Sequence, residues 1–221
     1  MKQLSTLSFC LFIVTISSAQ SAGIGITPAT TSYPSVTICC QTWMSKNLDV
    51  TKYRNGDPIP QVTNGAAWRA LTTGAWCYLN NDPAMGAIYG KLYNWYAVND
   101  PRGLAPAGWH IPIDFEWTTL SKCLGGKSVA GAAMKESGTA HWVPTNTGAT
   151  NSSGFTGLPG GYRNIGGVFY RIGKGGYFWS ATATDYRPDF SWLSTLDFSN
   201  NIHLMGMNNR QDGYSVRCVK D

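Results

Sequence analysis

The chain has 221 residues, with 17 Lys+Arg against 12 Asp+Glu, 43% hydrophobic and 13% charged residues. That length predicts one domain with a short arm, the apolar and aromatic content excludes a disordered chain, and the scattered 25 Gly and 11 Pro exclude collagen-like and low-complexity classes. The Lys and Arg are dispersed with no basic block, which argues against nucleic acid as a partner, and no run approaches 18 apolar residues, so no membrane-spanning helix is expected.

In chain order, Met1-Lys2, the apolar run from Leu7 to Ile16 and the small residues Ser17-Ser18-Ala19 form a secretory signal pattern over 1–19, with Gln20 as the new N-terminus. Cys10 sits inside the apolar run behind Phe9, which argues against a lipid anchor. Residues 20–35 are small, polar and punctuated by Pro and Gly, and read as a flexible N-terminal arm; 36–221 reads as a single domain. The expected location is secreted, extracellular or at the cell surface, with the periplasm as the other destination. Removing 1–19 leaves a charge of 16 − 12 = +4 and five cysteines: Cys39, Cys40, Cys77, Cys123 and Cys218. Disulfides persist outside the cytosol, and an odd number leaves one thiol unpaired or paired between chains. The three histidines, His110, His141 and His203, are far apart and no CxxC occurs, so no Cys/His metal site is predicted.

The alternating, β-branched Val36-Thr37-Ile38 predicts a first strand, and Asn55-Gly56-Asp57-Pro58 a turn. Ala87 to Val98 predicts a helix, with Ile88, Leu92, Trp95 and Tyr96 on one apolar face and Asn99-Asp100-Pro101 as its stop. A second helix is predicted over about 114–124, with Asp114 as N-cap, Phe115, Leu120 and Leu124 inward and Trp117 beside them. A third is predicted at 129–136. Residues 145–176 read as loop. Strands follow at Tyr177 to Thr182, Phe190 to Phe198, Ile202 to Met207 and Tyr214 to Val219, with turns at Asn200-Asn201 and Asn208-Asn209. Early helices followed by an antiparallel meander predict an α+β domain.

Several blocks carry a family resemblance: Gln41-Thr42-Trp43-Met44 with Asn47-Leu48; Gly86 to Ala97; Gly108-Trp109-His110-Ile111-Pro112 with Glu116-Trp117; Gly154-Phe155 with Leu158 to Arg163; Phe178-Trp179-Ser180; and Gly213 to Val219. In this order they resemble the Fibrobacter succinogenes major paralogous domain, a family of exported bacterial proteins common in Fibrobacter and Bacteroidota. The resemblance covers about 36–220. The family is related to C-type lectin-like and formylglycine-generating, sulfatase-modifying domains. It therefore implies a C-type lectin-like fold, with early helices packed on a small twisted antiparallel sheet with long loops. The chain departs from the family pattern at two places. Cys39-Cys40 stands where the family usually has a small, often Gly-containing pair. Ile113 stands where a Thr or Ser would complete a capping box with Glu116.

Beside that resemblance, Cys39-Cys40 reads as one disulfide partner plus one buried thiol on opposite faces of a strand, ahead of a redox or copper site. Cys77 and Cys218, placed by the resemblance in matching blocks, are the expected disulfide; Cys123 pairs with Cys39 or Cys40 or stays free. Trp43, Trp95, Trp109, Trp117 and Trp179 fall in the matching blocks and read as core. Trp and Tyr also stack on sugar rings, and the expected exposed ligand-binding aromatics are Trp142, Tyr170, Tyr186 and Trp192. The oxygen-rich turns at Asn80-Asn81-Asp82, Asn99-Asp100 and 185–189 read as turn caps rather than calcium sites, and neither Glu-Pro-Asn nor Trp-Asn-Asp is present. No phosphate loop, nucleophile elbow or carboxylate pair stands out, so no cofactor, metal or catalytic set is predicted. The expected function is a non-enzymatic binding or adhesion module recognising a glycan or other extracellular macromolecule through loops 140–195. The alternatives are a structural subunit of an extracellular assembly, self-associating through the N-terminal arm, and a formylglycine-generating-type oxidoreductase.

Overall fold

The β-branched stretch at Val36 does form a strand: β1 (Ser35–Ile38) pairs antiparallel with β2 (Gln41–Met44) in a computed structural model that describes residues 32–221. The predicted signal at 1–19, and the arm up to residue 31, lie outside the described residues. The register closes at Ile38↔Gln41, so Cys39 and Cys40 are the hairpin turn rather than strand residues. Cys40 is exposed there, not buried, while Cys39 is bonded to Cys123.

Next come helix α1 (Gly65–Arg69), strand β3 (Trp76–Cys77), helix α2 (Pro83–Tyr89), strand β4 (Leu92–Tyr93) and helix α3 (Trp95–Val98). The single helix expected over 87–98 is thus broken into three pieces. Asp82 accepts from the Ala84 N–H and Pro83 opens α2 at its first turn, so the helix starts before the predicted position. It stops at Gly90, whose φ is +69°, and a Cβ there would sit 2.8 Å from the Leu48 carbonyl oxygen. The chain then pairs with β3 (Cys77↔Leu92), and Asn94 caps α3 by accepting from the Ala97 N–H. Leu92 and Trp95 are buried, but Ile88 is exposed.

Strand β5 (Trp109–His110) leads to helices α4 (Asp114–Cys123) and α5 (Lys127–Met134). Trp117 and Leu120 face inward as expected, whereas Phe115 is 68% exposed. The cap of α4 is shared between distant residues. Glu116 accepts from the Ile113 N–H at 2.9 Å, the half of a capping box that an isoleucine permits. The missing hydroxyl comes from Thr182, which accepts from the Asp114 N–H at 2.9 Å and donates to the Asp114 carboxylate at 3.0 Å.

The region read as loop contains one short hairpin, β6 (Tyr162–Arg163) with β7 (Phe169–Tyr170). The long strands are as expected: β8 (Gly175–Ala183), β9 (Phe190–Asp197) and β10 (His203–Asn209) form an antiparallel sheet in the order β10-β9-β8. Asn208 and Asn209 end β10 instead of forming a turn. Alternation along this sheet feeds two cores. Trp179 and Leu193 join a cluster with Trp76, Trp95, Trp109 and Tyr214, and Phe178 and Leu196 join one with Trp43, Trp117, Trp142 and Phe155.

The last run is extended but leaves the meander. Tyr214 bonds both ways with the backbone of Tyr93, Ser215 accepts from the Trp179 N–H, Val216 from Leu48 and Cys218 from Met44. β11 (Val219–Lys220) then completes the sheet β1-β2-β11-β5. This crossing explains why Cys77 and Cys218 are not bridged. Each is fully buried and free, Cys77 in a cluster with Trp68, Leu79 and Leu92, Cys218 in the cluster beside Met44 and Trp109. The architecture is α+β, and among the described residues no helix is long and apolar enough to cross a membrane.

Candidate functional site

The hairpin β6–β7, strand β8 and the last extended run bring four tyrosines together. Cross-strand pairing sets Tyr162 against Tyr170, ring centroids 5.8 Å apart and tilted by 31°. Tyr162 also meets Tyr177 at 5.1 Å and Tyr214 at 5.3 Å. Tyr214 is buried and Tyr170 exposed, with Tyr162 and Tyr177 half-buried between them. The hairpin is held from below by Arg163. It is fully buried and donates to Val62, Thr63 and Gly167 carbonyls at 2.6, 2.7 and 3.1 Å, while its guanidinium lies 4.5 Å from the Trp68 ring.

Beside the tyrosines lies an open pocket of about 330 Å³ whose lining includes Arg171, Tyr177, Thr195, Asp197, Ser199 and Leu204. Arg171 donates to the Tyr177 hydroxyl at 3.2 Å and is ion-paired with Asp197. Burial works against its charge, but Tyr177 and Asp197 outweigh that and hold Arg171 more firmly protonated. Burial raises the Tyr162 hydroxyl pKa, so it stays a donor. Under the cluster, Tyr214 donates to Asp212 at 3.0 Å, and burial pushes that carboxyl up to about 6. The arrangement offers aromatic faces next to planar ionic groups and hydroxyls, the elements needed to stack on a ring and bond its substituents.

Of the four aromatics predicted to face a ligand, the structure brings only Tyr170 into this group. Trp142 is 1% exposed, a correction: its indole donates to the Gly157 carbonyl at 3.1 Å and packs in the core beside Phe155 and Phe178, because the loop around it folds inward. Trp192 is half-buried and stands opposite Met207 on β10; its side chain lies on the opposite sheet face from Thr195 and Tyr177. Tyr186 is 68% exposed in the β8–β9 loop, its hydroxyl 3.2 Å from the Met207 sulfur. Trp43, Trp95, Trp109, Trp117 and Trp179 are buried, as their reading as core required. Tyr162, Tyr177, Arg171 and Asp197 were missed. The available signal was the turn Asn164-Ile165-Gly166-Gly167 between Tyr-Arg and Phe-Tyr.

Two further polar clusters lie elsewhere in the fold. Ser194 Oγ lies 2.7 Å from His203 Nε2, but Ser194 is 0% exposed, burial holds the histidine down at about 4, and no carboxylate among the described residues bonds the other ring nitrogen. His110 bridges Glu116 and Asp221 at 2.8 Å each; burial opposes its charge, the two carboxylates outweigh it, and its pKa is raised. That bridge ties β5, the start of α4 and residue 221 together. Among the described residues no three His, Cys, Asp or Glu side chains converge as a metal site would require.

Residues 36–220 match the family model described as the Fibrobacter succinogenes major domain, and the chain belongs to that family. No curated protein and no solved structure matches it.

Proposed function

We propose that this member of the Fibrobacter succinogenes major domain family is an exported, non-enzymatic binding module that holds a glycan or another extracellular macromolecule on its tyrosine face. One observation carries this reading: Tyr162, Tyr170 and Tyr177 adjoin the Arg171–Asp197 pair at an open pocket. A sugar ring presents apolar C–H faces to an aromatic and hydroxyls at its edge, which a guanidinium and a carboxylate bond in one plane. The α+β body then serves as a C-type lectin-like scaffold, and the loops in 140–195 carry recognition through Tyr170, while Tyr186 and Trp192 lie outside the tyrosine group. The fully buried Ser194 favours binding over hydrolysis, since a nucleophile must reach its substrate.

A glycan array probed with residues 32–221, in wild type and in Tyr170→Ala and Arg171→Gln, tests the proposal. The expected outcome is a retained glycan class whose affinity falls about tenfold or more in each variant. A wild type that retains nothing, or variants that bind as well as wild type, would refute it.

A further inference from the structure

The β1–β2 turn holds a feature unrelated to the tyrosine face: three cysteines at one place. The register ends at Ile38↔Gln41, leaving Cys39 and Cys40 as the two loop residues. Cys39 is bonded to Cys123 at the end of α4, with 6.6 Å between their Cα atoms. Cys40, the next residue, is an exposed free thiol. Among the described residues, the other two thiols are inert by comparison: Cys77 and Cys218 are 0% exposed, and burial pushes them up to about 11 and about 12. The solvent-facing thiol is therefore the one adjacent to the bridge. Cys39 also has φ +52°, a left-handed conformation that normally selects glycine, so the bridge is anchored at a backbone position unfavourable for its residue. Successive Cα atoms lie about 3.8 Å apart, so Cys40 sits one residue from the bridged position, and bonding Cys123 in place of Cys39 takes a movement of this loop's backbone.

We propose that Cys39, Cys40 and Cys123 form a thiol–disulfide exchange site whose outside reactant is a small disulfide. Within the chain, the Cys40 thiol gives its proton to water and the thiolate attacks Cys123 Sγ. The Cys40–Cys123 bond forms as the Cys39–Cys123 bond breaks, and Cys39 leaves as a thiolate that takes a proton from water. No electrons are gained or lost. Either linkage leaves one loop thiol facing solvent. That thiolate attacks a sulfur of an external disulfide, forming a mixed disulfide and releasing the other half as a thiol.

The test is peptide mapping by mass spectrometry. Purified protein is held at pH 8, its free thiols are blocked with iodoacetamide, and the bridged ones are then reduced and blocked with N-ethylmaleimide. Exchange predicts the first label on both loop residues, the minor one in more than about one molecule in ten. A first label confined to Cys40, or a Cys123 that is free throughout, overturns the proposal. Cys39→Ser provides a second reading: with oxidised glutathione as the disulfide that takes up the two electrons, the variant is expected to form a Cys40–Cys123 bond and release reduced glutathione, and finding Cys123 free after that treatment refutes it. Oxidised glutathione added to wild type should modify the loop and neither Cys77 nor Cys218; an unmodified loop counts against the external step.

Discussion

Arg217 lies fully inside the protein, and among the described residues no carboxylate pairs with it. Its guanidinium donates instead to Asn47 Oδ1, and to the carbonyls of Met44, Phe155 and Thr156, and it lies 4.4 Å from the Phe155 ring. Burial pulls its pKa down to about 9, still high enough to keep the charge at neutral pH. Lys135 does the same for the carbonyls of Thr147, Asp197 and Asn200, all within 3.0 Å. Such cations stand in for the ladders that irregular segments lack, each satisfying several buried carbonyls at once. Arg217→Met is expected to cost about 3–5 kcal/mol, since it strands those acceptors in the core; the urea midpoint measures this. Arg217→Lys should recover only part of the loss, because an ammonium lacks the planar five-donor fork. None of this was legible in the composition, which presents Lys and Arg as dispersed surface charge. Trp142 was misplaced for a related reason: its neighbours His141, Pro144 and Thr145 read as loop, and nothing local says that the loop turns inward. Trp142→Ala is expected to destabilise by about 3–5 kcal/mol, while Tyr170→Ala should stay within about 1 kcal/mol. Equal effects of the two on thermal unfolding would mean that their burial has been misassigned.

Among the elements, those with long periodic patterns were readable and those defined by distant partners were not. β8, β9 and β10 run for nine, eight and seven residues, long enough for the sequence alone to mark them as strands. α4 was found for the same reason. The two-residue strands β3, β4, β5, β6, β7 and β11 carry no period of their own; each exists because another segment bonds to it. Gly90 shows how such context overrides a helical pattern. Leu92 and Trp95 do face inward, but the turn at Gly90 and the pairing of Leu92 with Cys77 redirect the chain between them. The start of α4 is a similar case, because its missing cap comes from Thr182, 68 positions away. Thr182→Val should therefore act as a helix-cap mutation although it lies on β8. The expected cost is about 1 kcal/mol, a fall in Tm of about 2–4 °C for a domain of this size. Thr182→Ser keeps the hydroxyl and should restore most of it. A full loss in the serine variant would show that a hydroxyl at this position does not by itself supply the cap.

On the scale of the whole molecule, two buried groups give opposing contributions to its response to acid. Burial holds His203 down at about 4 against an ordinary value of 6.5. Between those values the unfolded chain carries the proton and the folded one does not, so His203 removes stability as pH falls from 6.5 to 4. Asp212 is pushed up to about 6 from an ordinary 3.8, so the folded state binds the extra proton, and stability grows as pH falls from 6 to 3.8. Each shift is worth about 3 kcal/mol at 1.36 kcal/mol per unit, and the two nearly cancel. His110, raised by Glu116 and Asp221, adds a contribution of the same sign as Asp212, present at low pH and lost as pH rises through its folded pKa. The two buried groups lie in different parts of the body, His203 on β10 beside α4 and Asp212 beneath the tyrosines, so each can be removed separately. Asp212→Asn should leave His203 opposed by His110 alone and make the protein less stable at pH 4 than at pH 7. His203→Gln should do the reverse. Urea midpoints for both variants at the two pH values decide the matter: profiles that diverge in opposite directions are expected, and parallel profiles would show that neither group is held where its burial implies.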